Sequence, residues 1–351
     1  MPSASMETLL ACYIMTVLIL SSMVGMSVLV HPYLESQLSR YSVDSSRSLA
    51  EYWLLNPGSP SDWGATLNVN LTAFGLAKSN FQVPFDLDID KVTRLNQENK
   101  YHLSLFEVFT ALGMEDRAVR IRITPIFDVD LNLTSQNVES NSTVYTFKVS
   151  TKRLNLPVTA TLHCYVIVED YVDAVTSTVQ GEGFIEVEIP NSLNGTALLI
   201  AFARAEPRAI SFNVYSFRHN TSEGPNQRGT FIRLSPLNYT LYAEHLFPEE
   251  SITSVKVFTY SYNFDLSKNS EEGLTETYTI PRLLEASPMI LVVTGTNGSR
   301  SFAEWVAYPQ IPLDFGSSFE GERSASNSIS CVFVVTINSA LYECRITLGE
   351  A

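Results

Sequence analysis

Cysteine and charge are both scarce in this sequence. Only 4 cysteines occur in 351 residues, too few to hold the chain together as a disulfide scaffold. Charged residues make up 17% of the chain, and 37 Asp and Glu outnumber 23 Lys and Arg. The formal net charge of −14 disfavours nucleic acid as a partner, because the phosphate backbone binds basic surfaces. Hydrophobic residues reach 45%, so the chain can bury real cores and is not disordered.

Motifs that signal catalysis or metal binding are also lacking. The 5 histidines are scattered and form no H-E-x-x-H pair, and no P-loop, nucleophile elbow or dinucleotide fingerprint occurs. Asp86, Asp88 and Asp90 alternate like the start of a calcium loop, but Lys91 stands where that loop has its turn glycine. Helix N-capping is therefore the better interpretation of these aspartates. We predict no enzymatic activity, no metal and no cofactor.

Glu304 and Trp305, with Tyr308 nearby, place a carboxylate beside two aromatic rings. Such a set lines grooves for sugar or peptide, but it also occurs as a structural aromatic cluster. The sequence favours the structural interpretation without excluding the groove.

A long uncharged run lies near the N-terminus. Between Thr8 and Val30 there is no charge, and Leu, Ile, Val and Met dominate. A helix of about 23 residues reaches across the roughly 30 Å hydrocarbon core of a membrane. No small-residue cleavage site follows the run. We predict a retained single-pass anchor that contacts the lipid bilayer through residues 8–30.

The helical pattern continues beyond the anchor. Apolar and small residues recur at steps of three and four as far as Tyr52, with charged residues off that stripe. Asn56-Pro57-Gly58 is typical of a helix end. The sequence therefore predicts one helix of about fifty residues, with the anchor and its amphipathic extension occupying residues 1–57.

The rest of the chain has strand patterns. Apolar and polar residues alternate through 119–131, 158–169 and 183–189. We predict a mostly β protein in three units after the helix: a small α+β unit over 58–152, an immunoglobulin-like β-sandwich over 153–220, and a C-terminal β-rich domain over 228–351.

Four runs in the first third of the chain carry a family resemblance. They are Ser3-Ala4-Ser5-Met6-Glu7-Thr8-Leu9-Leu10, Leu55-Asn56-Pro57-Gly58-Ser59-Pro60-Ser61-Asp62-Trp63-Gly64, Phe74-Gly75-Leu76-Ala77 and Asp90-Lys91-Val92-Thr93-Arg94-Leu95. The chain resembles archaeal type IV pilin-like envelope proteins that have a class III signal. The resemblance implies a pilin-like helix, cleavage after Pro2, and Ser3 as the mature N-terminus. It also implies that Glu7 pairs with the freed amine of a neighbouring subunit inside a helix bundle.

Glu7 has two interpretations on physical grounds. A carboxylate inside an apolar bundle is costly unless it meets a cation, which fits a role in subunit assembly. The alternative is an ordinary carboxylate at headgroup level, where the dipole of the helix N-terminus favours it.

Seven Asn-x-Ser/Thr sequons follow the anchor, which places the body outside the cell if they carry glycans. The positive-inside rule points weakly the other way, because Arg40 and Arg47 follow the span and no basic residue precedes it. Accidental sequons in a Ser/Thr-rich chain are the alternative. We predict a single-pass protein of the cell membrane with an extracellular body. The predicted glycosylation sites are Asn70, Asn132, Asn141, Asn194, Asn220, Asn238 and Asn297.

Cys331 and Cys344 lie about a dozen residues apart near the C-terminus, in what reads as a hairpin. A disulfide between them fits an oxidising compartment, and we predict that bridge.

Two functions remain open. The first is a minor or specialised pilin-like filament subunit, or a component of a surface appendage, that associates with copies of itself or with other pilin-like subunits through the N-terminal helix. The alternative is a membrane-tethered surface glycoprotein that does not polymerise and whose β-domains bind a partner or ligand. The amphipathic extension favours the first, and the large body together with the missing basic residue before the span favours the second.

Overall fold

A computed structural model describes residues 3–80, 83–114, 117–319 and 328–350, with the backbone alone for 3–5, 28–42 and 350. The chain divides into two compact units, Met1–Glu51 and Tyr52–Ala351. The first unit is helical, and the second, called the body below, is mostly β.

Helix α1 (Ser3–Leu55) is 53 residues long, which confirms the predicted helix of about fifty residues. It ends because the backbone turns at the Asn-Pro-Gly sequence. The Asn56 amide still donates to the Tyr52 carbonyl at 2.9 Å, and the Asn56 side chain then accepts from the Gly58 amide at 2.8 Å. Gly58 has a φ of 77°, which a residue without Cβ adopts readily.

The 22-residue segment Met6–Ser27 of α1 is long and apolar enough to cross a membrane, and it is not buried against the rest of the protein. Among the described residues it is the one helix that passes this test. It coincides with most of the predicted anchor over residues 8–30. Its large side chains, such as Leu10, Ile14 and Leu18, are exposed. Insertion into a bilayer would remove this apolar surface from water.

The described part of the body contains two short helices and twenty-one strands. The helices are α2 (Ile89–Arg94) and α3 (Leu105–Leu112). The strands are β1 (Asp86–Leu87), β2 (Arg117–Pro125), β3 (Asp128–Val138), β4 (Ser142–Arg153), β5 (Leu156–Pro157), β6 (Thr159–Val168), β7 (Tyr171–Gln180), β8 (Glu182–Pro190), β9 (Gly195–Glu206), β10 (Ala209–His219), β11 (Ile232–Leu237), β12 (Thr240–His245), β13 (Glu250–Phe258), β14 (Asn263–Asp265), β15 (Ser267–Glu272), β16 (Thr275–Thr279), β17 (Met289–Asn297), β18 (Arg300–Tyr308), β19 (Leu313–Gly316), β20 (Ile329–Ile337) and β21 (Ala340–Glu350).

The terminal sheet joins the start of the body to its last strands. Its order is β1-β20-β21-β2-β19, with β1 parallel to β20 and the other pairs antiparallel. Ile121 on β2 faces Ile346 on β21, and both are fully buried. The strands alternate buried and exposed positions, as expected when one face of a sheet covers a core.

The large sheet forms a sandwich by bending on itself. Its order is β10-β9-β6-β7-β8-β4-β3, and β7 meets β8 through the single pair Gln180 and Glu182. The inward side chains of β3, β4, β6, β8, β9 and β10 share one apolar core. Asn213 on β10 donates to the Val129 carbonyl on β3 at 2.6 Å, which joins the two outer strands.

Sheet pairing does not follow the predicted domain boundaries. The sandwich expected over 153–220 also uses β3 and β4 from the unit expected over 58–152, because β4 forms the ladder with β8. Strand β2 of that same unit pairs with the C-terminal hairpin expected in the 228–351 domain. The large sheet and the terminal sheet therefore each combine strands from two of the predicted units.

Two further sheets pack beside the sandwich. The inner sheet has the order β14-β13-β17-β18, and the outer sheet has the order β11-β12-β16-β15. The inner sheet packs on the outer face of β6, β9 and β10 through Phe258, Ile290 and Val292. Strand β9 is consequently buried on both faces from Gly195 to Ala203, which explains its continuous apolar sequence.

The C-terminal hairpin contains no bridge between Cys331 and Cys344, so the predicted disulfide is corrected. Cys331 pairs with Ile346, and Cys344 pairs with Phe333. The two cysteines are thus diagonal neighbours, and Cα atoms at such positions lie about 7–8 Å apart, beyond the usual reach of a disulfide. Cys344 is fully buried, and burial raises the pKa of its thiol to about 12.

Candidate functional site

Helix α2 contains most of the run Asp90–Leu95 discussed above, and all six residues of the helix are buried. The Asp88 side chain accepts from the amides of Asp90 and Lys91 at 3.0 and 3.1 Å. This confirms the predicted N-capping role for Asp88 alone. Lys91, Arg94 and Asp90 each bind a different part of the body, and together with Asp88 they form what we call the α2 cluster.

Lys91 joins two loops that are far apart in sequence. Its Nζ donates to the Pro57 carbonyl at 2.8 Å and to the Ala77 carbonyl at 2.7 Å. It also lies 5.8 Å from the centroid of the Trp63 ring. The side chain is fully buried, and burial lowers the pKa of the ammonium to about 8, while Asp88 and Asp62 oppose the shift.

Arg94 holds the loop that follows Trp63. Its Nη1 donates to the carbonyls of Trp63 and Thr66 at 2.5 and 2.6 Å, and its Nε donates to the Tyr101 carbonyl at 2.9 Å. Burial lowers the pKa of the guanidinium, but the planar group keeps its charge and satisfies several carbonyls at once. Arg94 therefore has a structural role, because it connects α2 to the loop after Trp63 and to Tyr101.

Asp90 connects α2 to the inner and outer sheets. Its Oδ1 accepts from the Tyr308 hydroxyl at 2.6 Å and from the Asn238 amide at 2.7 Å. Burial raises the pKa of this carboxyl, and the two hydrogen bonds oppose the shift. Tyr308 is fully buried, so it does not line a groove as the sequence allowed. The α2 cluster explains the run Asp90–Arg94 as structure and offers no exposed chemistry.

Two glycines of the resemblance are explained by close packing around the same cluster. A Cβ on Gly64 would lie 2.7 Å from the Lys91 Cγ and backbone nitrogen. A Cβ on Gly75 would lie 2.2 Å from the Asn56 carbonyl oxygen. Neither position has room for a side chain, so these glycines are required by the fold.

The body contains a groove of about 480 Å³. It lies between the loop over residues 96–100 and strands β11 and β18. The Arg228 guanidinium stacks 4.6 Å from the centre of the Trp305 ring and also pairs with Glu98 at 2.6 Å. Both Arg228 and Glu98 remain exposed. The groove thus presents the Trp305 ring and the Arg228 guanidinium, and the carboxylate of a ligand can take the place of Glu98 on that guanidinium.

Glu304 lies at the bottom of this groove, but its carboxylate already accepts hydrogen bonds from backbone amides. Its carboxylate accepts from the Phe231 amide at 2.7 Å, from the Ile232 amide at 3.4 Å and from the Gly229 amide. Burial raises the pKa of the carboxyl, and the amide bonds oppose the shift. Glu304 therefore shapes the groove, while Trp305 and Arg228 present the accessible chemistry. Arg228 lies in a polar stretch without a motif, and the sequence pattern gave no signal for it.

The sequon asparagines lie on or near the surface. Asn297 is half-buried, whereas the other six, Asn70, Asn132, Asn141, Asn194, Asn220 and Asn238, are exposed. Asn132 lies within β3, and the rest lie in turns, loops or strand ends.

The predicted processing and assembly residues are only partly described. Pro2 lies outside the described residues, and Ser3 is the first residue of α1. Glu7 is exposed, within the segment Met6–Ser27. No group of three or more metal-ligating side chains occurs among the residues that the structure describes.

Comparison with known proteins gives no family. No family model matches the chain, and no curated protein matches it. Among solved structures it is similar to HBP35 of Porphyromonas gingivalis, at 14% identity and a TM-score of 0.18, over 52% of this chain and 64% of that one.

Two structures of human GIVD cytosolic phospholipase A2 are also similar. The one in complex with methyl gamma-linolenyl fluorophosphonate has 8% identity and a TM-score of 0.16, over 67% of this chain and 32% of that one. The other has 10% identity and a TM-score of 0.12, over 67% and 33%. This chain spans less than two thirds of each of these three structures. TM-scores this low carry no argument about its fold or function.

Proposed function

We propose that this chain is a membrane-anchored, extracellular, pilin-like subunit that assembles with copies of itself or related subunits through α1. The observation that carries the proposal is the uninterrupted 53-residue helix, whose first half is apolar and exposed. A helix of this length extends well beyond the roughly 20 residues that an anchor needs. Glu7 lies where a carboxylate would need a cation in an apolar helix bundle.

The orientation and the envelope location are part of the same proposal. Seven sequons follow the anchor and none precedes it. Six of their asparagines are exposed, as glycan attachment requires. We propose an assembly or binding role rather than an enzymatic one.

The test of assembly is the charge of Glu7. We expect Glu7→Gln to lower the fraction of protein recovered in sheared, sedimented filaments by at least about tenfold, because an unpaired partner charge in an apolar bundle costs several kcal/mol. Asp44→Asn is the matched control, since Asp44 is exposed on the same helix outside the apolar segment. Equal filament yields for wild type and Glu7→Gln would remove the mechanism.

A second candidate is a tethered surface protein that binds a ligand in the groove. The Arg228–Trp305 stack favours it, because an aromatic face packs on a sugar ring and a guanidinium binds a carboxylate in place of Glu98. An array of neutral and acidic oligosaccharides probed with the full-length protein tests this. We expect binding to acidic sugars that Arg228→Ala and Trp305→Ala abolish.

The control for the groove is Arg282→Ala. Arg282 also stacks 4.6 Å from an aromatic ring, that of Tyr239, but it does not line the groove. Retained binding in Arg228→Ala, or equal loss in the control, contradicts a ligand site at Trp305.

A further inference from the structure

Four of the seven sequons come together at one end of the sandwich. Asn141 lies in the turn between β3 and β4, and Asn194 precedes β9. Asn220 follows β10, and Asn297 ends β17 at its hairpin with β18. These positions are dispersed over more than a third of the sequence, so their proximity is a property of the fold.

Hydrogen bonds connect the four turns directly. Asn191 is the centre: its amide donates to the Asn141 carbonyl at 2.9 Å, and its own carbonyl accepts from the Asn220 side chain at 2.9 Å. On the other side of this loop, the Asn194 carbonyl accepts from the Ser301 hydroxyl at 3.1 Å. Ser301 pairs with the residue before Asn297 in the β17–β18 hairpin.

A buried histidine below these turns and an ion pair at the surface connect them further. His219 lies under them, with Nδ1 2.9 Å from the Tyr145 hydroxyl and Nε2 3.0 Å from the Pro190 carbonyl. An ion pair of 2.7 Å between Arg300 and Glu223 connects the segment after Asn220 to the hairpin. The end of the sandwich is therefore one fixed surface.

The opposite end of the sandwich is attached to the rest of the body. In the turn between β9 and β10, Arg208 Nε donates to the Ser339 carbonyl at 2.8 Å, and the Arg208 carbonyl accepts from the Leu341 amide at 2.8 Å. Strand β9 has 12 residues, so the sequon end lies about 40 Å along the strands from this attachment.

We propose that residues 139–142, 190–195, 219–222 and 297–300 form a glycan cap: a surface that carries N-linked oligosaccharides at Asn141, Asn194, Asn220 and Asn297 and takes no part in subunit contacts. The cap rests on the proposed extracellular location of the body. Crowded glycans on one rigid end exclude protein from it. Any assembly of this chain must then use α1 or the remaining faces of the body.

The chemistry at each site is a transfer from a lipid-phosphate-linked oligosaccharide by a transferase of the cell. A bond forms between Nδ2 and the anomeric carbon, and the anomeric carbon–oxygen bond breaks. The lipid phosphate leaves with the bonding electron pair, and a base removes one proton from Nδ2. The asparagine keeps one N–H, so the Asn220 side chain, which donates to the Asn191 and Leu193 carbonyls at 2.9 and 3.4 Å, retains one of these two hydrogen bonds.

The test is site-resolved glycopeptide mass spectrometry on the full-length protein from its native membrane. We expect glycans at all four cap positions. Ser222→Ala and Ser299→Ala remove two of the sequons without changing an asparagine, and both serines are exposed. Combined with Asn141→Gln and Asn194→Gln, they should raise cleavage of residues 219–224 by external protease at least about tenfold, since exposed segments are the preferred cleavage sites. Asn70→Gln should leave cleavage there unchanged.

Three results separate the possibilities. Glycans confined to Asn70, Asn132 and Asn238 overturn the cap and leave the body outside the cell. No glycan at any of the seven sites, with a body that external protease cannot reach, overturns the proposed location and the cap together. Disulfide-linked dimers of a Ser192→Cys variant in the assembled protein, at a position exposed in the centre of the cap, show that the cap enters subunit contacts and refute the exclusion.

Discussion

Replacing Lys91 by methionine should change how stability depends on pH. The Lys91 ammonium is fully buried, and burial lowers its pKa from 10.5 to about 8. A pKa difference of this size between the unfolded and folded states corresponds to an upper limit of about 3 kcal/mol. Below pH 8 the folded protein carries this cost in full, because the lysine is protonated in both states.

The sign follows from the proton count. Between pH 8 and 10.5 the folded state loses the proton and the unfolded state keeps it, so the free energy of unfolding rises with pH. The neutral amine retains two hydrogens, one each for the carbonyls of Pro57 and Ala77. Above pH 10 buried tyrosines act in the opposite direction, since burial raises the pKa of Tyr101 and Tyr165 to about 12. The useful window is therefore pH 8 to 10.

The assay is urea unfolding of the full-length protein in detergent at several pH values, followed by tryptophan fluorescence. Trp53 and Trp63 are both buried and should report the transition. We expect wild type to gain about 2–3 kcal/mol from pH 8 to 10 relative to Lys91→Met. At pH 10 Lys91→Met should be less stable by about 2–4 kcal/mol, because two buried carbonyls lose their donor.

The control is Lys148→Met, since Lys148 is a half-buried lysine on the sandwich that pairs with Glu182 at 2.8 Å. Its stability should follow the wild-type pH profile. A wild-type stability that stays level or falls between pH 8 and 10 relative to Lys91→Met refutes the assignment of a buried, strained ammonium.

Three further outcomes follow from the packing. Gly64→Ala should lower the free energy of unfolding by about 1–3 kcal/mol, because its Cβ would meet Lys91 at 2.7 Å. Thermal unfolding measures this change. The control is Gly224→Ala, whose Cβ has open space around it and whose free energy of unfolding should stay within about 0.5 kcal/mol of wild type. Arg94→Met should destabilise the body by about 3 kcal/mol and expose residues 64–72 to limited proteolysis. Arg94→Lys should recover only part of the lost stability, because one ammonium cannot reach all the carbonyls. Unchanged proteolysis contradicts the role of Arg94 in holding this loop. N-Ethylmaleimide should leave Cys164 and Cys344 unmodified in the folded protein, because both are buried and burial raises the pKa of each thiol to about 12. Peptide mapping that finds either thiol labelled contradicts its burial, and a 331–344 cross-link contradicts the register of the hairpin.

Local features of this fold were predictable because they depend on neighbouring residues. The uncharged run, the Asn-Pro-Gly stop and the aspartate before α2 each produce their structure within a few residues. Strand alternation predicted β6 and β8 for the same reason. The run 119–131, predicted as one strand, is divided between β2 and β3.

Sheet partners were not predictable from these patterns. Strand β2 alternates like many others, and nothing in its sequence shows that its partner is β21. The same limit produced the error at Cys331 and Cys344: the hairpin was foreseen, but the register that separates the two thiols depends on the turn at Asn338 and Ser339. The groove and the meeting of four sequons arise from long-range packing, which single-sequence patterns do not contain.

The terminal sheet sets a condition on how the protein is made. Strands β1 and β2 leave the ribosome before the sandwich strands, yet their partners β20 and β21 are synthesised after them. Closing such a long loop is slow, because its entropy must be lost before the contacts form. The sandwich, whose strands run from 128 to 219, has all its partners earlier. The sandwich should therefore acquire its core first, and the terminal sheet should stay incomplete until residues 329–350 arrive.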